Sequence, residues 1–127
     1  MSSRAAQLLE GADRAIASAQ RELEAQDVET AAERANTAML RLAQASLDVD
    51  GLGPVEPRSV CLAYGERFGR TGRLSSAYHR WLLDAGDLRK ATSGDIAAPI
   101  GIEAVAIVVE KAEIFRDAVA RFVERNA

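Results

Sequence analysis

From Val28 onward, apolar residues fall at Val28, Ala31, Ala32, Ala35, Ala38, Met39, Leu42 and Ala45. Steps of three and four trace one face of an α-helix, whereas a half-buried strand would alternate with a period of two. The same spacing runs from Ser3 through Leu8, Leu9, Ala12, Ala15, Ile16, Ala19 and Leu23. It returns near the end of the chain at Val105, Val108, Val109, Ala112, Phe115, Val119, Phe122 and Val123. So many alanines on the inward faces allow helix axes to approach closely. With only 5% aromatic residues, a β-sandwich core would lack its usual material.

Breakers divide these stripes into elements. Asp27 predicts an N-cap for the second helix only a few residues after the first, hence an antiparallel hairpin of two long helices. "DVDGLGPVEP", Asp48 to Pro57, predicts a loop. Pro57 suits the first position of a third helix, with Val60, Cys61, Tyr64 and Phe68 on one face, ending at "GRTG". Ser75 or Ser76 caps a fourth helix that reaches about Thr92. Gly94 and Pro99 bracket the connection to the last. "AIVVE" continues a helical stripe at both ends and is no strand. The expectation is an all-α, up-down bundle of about five helices forming one domain over residues 1–127.

Charge narrows the function classes. The formal net charge of −3 gives no general grip on nucleic acid, so any such contact needs a local basic patch. One histidine and one cysteine make a protein zinc site unexpected, and no cofactor is implied. Cys61 reads as an inert thiol on an apolar helix face. No apolar run approaches ~18 residues and no secretory leader is visible, which predicts a cytoplasmic protein outside the membrane.

The basic patch is "RTGRLSSAYHRWLLDAGDLRK", Arg70 to Lys90, which holds the single histidine. On a helical wheel Tyr78, Leu82, Ala85 and Arg89 share one stripe, so Arg89 lies on the core-facing side. A guanidinium there must snorkel, pair with a carboxylate or bind an anion. His79 shares its row with Leu83, Gly86 and Lys90. Arg73 lies six residues before His79, outside the helix, where the chain has room to fold it back. An imidazole and a guanidinium make a minimal set for metal-independent RNA cleavage: one moves the 2′-hydroxyl proton, the other stabilises charge on the phosphate.

Longer stretches resemble the HEPN domains (higher eukaryotes and prokaryotes nucleotide-binding), in particular small stand-alone prokaryotic members. "AERANTAMLRLAQASL" is similar to the family's A-Y-Y-A-M-F-H-A-A pattern. "VEPRSVCLAYGERFGRTGRL" resembles the block ending F-x-x-T-G-x-L, and "LLDAGDLRKATSGD" resembles L-R-x-x-A-D-Y-G. The resemblance covers nearly the whole chain in architecture and about half of it in motif. It implies a bundle that dimerises. Many relatives are ribonucleases, often toxins of toxin–antitoxin pairs, with an Arg and a His four to six residues apart. Others are non-catalytic partners of nucleotidyltransferases or bind nucleotides. Arg89 is the best positional match to the family's arginine, but no histidine follows residue 79. Asn36 and Thr37 stand where the pattern has tyrosines, and Arg41 where it has a histidine.

Two active readings and a bland one result. In the first, a homodimeric, metal-independent ribonuclease or toxin uses Arg89, His79 and Arg73 as catalytic candidates, with Arg41 and Lys90 contacting phosphate or RNA. In the second, a non-catalytic protein holds a nucleotide or pairs with a nucleotidyltransferase or antitoxin. The third is a purely structural helical dimer.

Overall fold

The computed structural model describes residues 3–93 and 100–126. The expected connection bracketed by Gly94 and Pro99 lies outside the described residues. Among the described residues, five α-helices pack together: α1 (Ser3–Glu24), α2 (Val28–Val49), α3 (Pro57–Tyr64), α4 (Ser76–Ser93) and α5 (Ile102–Arg125). No strand occurs among the described residues, and the fold is the all-α bundle that the stripes predict.

The α1–α2 turn follows from hydrogen-bond closure. Gln26 takes φ +59°, its N–H donates to the Leu23 carbonyl and that of Asp27 to the Glu22 carbonyl. This pair of bonds satisfies the last carbonyls of α1. Asp27 then caps α2, its carboxylate accepting from the Thr30 N–H at 3.1 Å. That bond, with a second from the Thr30 hydroxyl, holds the Asp27 carboxyl below its usual range. At the other end, α2 runs through Asp48 and Val49, two residues further than the breaker pattern suggests. Gly51, at φ +86°, closes it by the same pair of bonds, with Leu52 donating to Leu47 and Gly51 to Asp48.

The second helix is the axis of the bundle and packs against each of the other four. Its Ala31, Ala35, Ala38, Leu42 and Ala45 are fully or almost fully buried, as are Ala5, Ala12 and Ala19 of α1. The scarce aromatics lie in the later elements of the chain. Tyr64 and Phe68 are fully buried, with Phe115 edge-on to Tyr64 and Phe122 edge-on to Phe68 at 5.6 and 5.3 Å between ring centroids. On the surface, Arg116 of α5 grips Asp13 of α1 through two bonds of 2.8 and 3.1 Å.

The third helix departs from the single segment expected up to "GRTG". It is α-helical only to Tyr64, and Gly65–Gly69 forms a π-helical turn. The wider turn carries Phe68 into the core and leaves two glycines, four apart, facing α4. No helix among the described residues is long and apolar enough to cross a membrane.

Candidate functional site

The basic segment divides into two ends with opposite character. At the first, every candidate side chain has a partner inside the fold. Arg73 donates to both carboxylate oxygens of Asp50, at 3.0 and 2.8 Å, and its guanidinium sits 4.9 Å from the centre of the Phe68 ring. Arg67 reaches the same carboxylate at 3.1 Å. The bond from Arg73 is the main cause holding the Asp50 carboxyl below the ordinary carboxylate range. Arg73 thus fastens the 70–75 connection to the end of α2, rather than folding back on His79.

His79 is equally engaged. Its Nε2 lies 3.2 Å from the Cys61 carbonyl. A carbonyl only accepts, so Nε2 carries the proton. The ring lies near-parallel to Tyr64, 27° between planes, and fills the space left by the two glycines. A Cβ built on Gly65 would come within 2.6 Å of Nε2, and one on Gly69 within 3.0 Å of the His79 Cβ. The imidazole is a peg holding α4 against the π-helical turn.

The far end of α4 differs. Asn36 and Leu40 of α2, Pro57, Arg58 and Cys61 of α3, and Leu82, Leu83, Gly86, Asp87, Arg89 and Lys90 of α4 line a groove of about 530 Å³. Its floor is apolar and its charged groups are three cations against one carboxylate, Asp87. Arg58 has a surface partner, Glu56, at 3.2 Å. Half-buried Arg89 forms no ion pair among the described residues. Gly86 keeps the wall thin: a Cβ there would lie 3.8 Å from the Asn36 amide oxygen. Burial pushes the half-buried Cys61 thiol up, which keeps it protonated.

Of the five candidates, the structure therefore brings together Arg89 and Lys90. His79 and Arg89 are ten residues apart on one helix, about 15 Å along its axis. Arg41 lies on another flank of α2, its Nη1 donating to the Gly11 carbonyl at 3.0 Å. Asn36, Arg58 and Asp87 join the site unannounced by the sequence reading. The helical glycine at position 86 is the one local signal that something approaches α4 there. No group of three or more His, Cys, Asp or Glu side chains among the described residues is placed to hold a metal ion. Compared with known proteins, the chain matches no family model and no curated protein.

Proposed function

We propose that the protein is a HEPN-like, non-catalytic binding module whose α2/α3/α4 groove holds a phosphorylated ligand of the nucleotide class. The observation that carries this reading is the groove itself, with Arg89 half-buried on its wall and in no ion pair among the described residues. Arg89 and Lys90 supply charge for phosphate, since a guanidinium fork and an ammonium both bind oxyanions. Leu40, Leu83 and Pro57 offer an apolar floor for a base or ribose face. Asn36 supplies an amide that can donate and accept to a base edge. A volume of about 530 Å³ falls in the range of small-molecule sites.

The resemblance supports the nucleotide class and extends the reading to a homodimer that has a nucleotidyltransferase or antitoxin as its partner. Leu62, 69% exposed and beside His79, supplies apolar surface for a second copy. Light scattering at tens of micromolar, a range set by common interface strengths, should give twice the monomer mass; a monomer would remove the dimer.

The test of the groove is titration with the four ribonucleoside 5′-monophosphates, read by melting temperature. A ligand at a hundredfold its Kd stabilises the fold by about 2.7 kcal/mol, a rise of several degrees. Arg89→Gln should abolish the rise. RNA cleavage in EDTA that disappears in His79→Ala, with the fold intact, would replace this reading with the ribonuclease one.

A further inference from the structure

A second basic depression lies across α2 from the groove. Leu40 faces the groove, and the next residue, Arg41, is turned by about 100° around the helix onto α1. Its stem lies across Gly11, where a Cβ would meet the Arg41 Cδ at 3.1 Å and Nη1 at 3.3 Å. A glycine in the middle of a helix costs about 1 kcal/mol against alanine. Here it lets a charged side chain lie low between α1 and α2. Arg41, Arg14, Arg4 and Gln7 surround a depression of about 210 Å³ that no carboxylate lines.

The partners of these cations leave a charge surplus. Arg4 stands 3.6 Å from Asp48, whose side chain is only 10% exposed. Arg14 and Arg41 form no ion pair among the described residues, although Glu10 precedes Arg14 by one turn. Arg41 donates one N–H to a backbone carbonyl and lines the depression. Two guanidiniums and an amide around a small hollow are the donor set of an oxyanion site.

We propose that this depression is a second phosphate site, with Arg14 and Arg41 as its charged donors and Gln7 as a neutral one. Together with the groove it grips one ligand on both flanks of α2. That ligand is a single polynucleotide strand rather than a mononucleotide, because a mononucleotide cannot place phosphate on both sides of a helix. The inference rests on the nucleotide reading of the groove, and its own content is the second site.

Fluorescence anisotropy with a labelled single strand of about ten nucleotides, within the span one small domain covers, tests it across a range of salt. A mononucleotide and inorganic phosphate serve as separate ligands. Arg14→Gln with Arg41→Gln should weaken strand binding about tenfold and lower the salt slope by about 0.7 for each lost contact. Mononucleotide affinity should stay unchanged. Arg14→Gln alone, at an exposed side chain, should give part of the slope change with an unaltered melting temperature. Arg89→Gln should abolish mononucleotide binding and weaken the strand. Unchanged strand affinity and slope in the double variant, with mononucleotide still bound, would overturn the second site and leave the groove standing. A strand that binds no tighter than mononucleotide would do the same, even if inorganic phosphate binds near Arg41. Failure of every nucleotide ligand to bind the wild type would remove the groove reading and the second site with it.

Discussion

The two ends of α4 belong to one basic run yet do different work. Around His79, ring, glycines, carbonyl and the Arg73–Asp50 pair fit one another, so that the imidazole Nε2 and the Arg73 guanidinium are both taken up by partners within the fold. Around Arg89, a groove opens, cations outnumber carboxylates and the guanidinium has no ion-pair partner among the described residues. A residue type common in catalysis can thus be a packing element when its surroundings already satisfy it. An unmatched charge on an inward stripe is the better pointer to a ligand. The comparison assigns fold stability to the first end, and our proposal puts recognition at the second.

Five single substitutions and one double variant probe that contrast. The largest stability effect should come from Gly65→Ala, which puts a methyl 2.6 Å from the imidazole Nε2. Overpacking of this kind costs about 2 kcal/mol, despite alanine's better helix propensity. A denaturant series on Gly65→Ala, His79→Ala and the double variant should show strong non-additivity, the second change relieving the first. Simple additivity would mean that the ring does not occupy that space.

Asp50→Asn should cost about 1 kcal/mol by loosening both arginines, the modest size reflecting their partial exposure (42% for Arg73). The pH dependence has a definite sign. The folded-state pKa of Asp50 lies below its unfolded value, so its contribution is full above the unfolded pKa. It is lost as pH falls through the lower, folded one. The difference between wild type and Asp50→Asn should therefore shrink below about pH 4; a constant difference down to strongly acid pH would break the pairing claim.

Tyr64→Phe should raise stability by about 1 kcal/mol, because the buried Tyr64 hydroxyl has no hydrogen-bond partner among the described residues and an unmet buried hydroxyl is costly. Burial also pushes this phenol above its ordinary range. A loss of stability in the melting curve would contradict the count of its partners. The smallest stability effect belongs to the recognition end: Arg89→Gln should move the unfolding free energy by no more than about 0.5 kcal/mol. A larger drop would make Arg89 another structural residue and erase the contrast between the ends.

Most of the helical layout was legible in the sequence because it is local. Stripes at three- and four-residue steps, the Asp27 cap and Pro57 at the start of α3 each depend on neighbours within a few positions. The wheel likewise set Arg89 on the inward stripe. What escaped was set by contacts between distant elements. Asp50 captures Arg73 from 23 positions away, and nothing near either residue marks the pair. The π-helical turn and the fit of His79 between Gly65 and Gly69 need α3 and α4 side by side, although two glycines four apart hint at a close approach. The groove draws on three helices, so Asn36 and Arg58 carry no local sign of sharing it with Arg89. Arg41 reads as one more cation near the candidates until the packing of α1 turns it to the opposite flank.

The central claim is that recognition resides at the Arg89 end of α4. Calorimetric titration of the wild type and Arg89→Gln with the ribonucleoside 5′-monophosphate giving the largest thermal shift tests it most directly. The account predicts one-site binding by the wild type and no measurable binding by Arg89→Gln at an unchanged melting temperature; equal affinity in the two proteins would contradict it.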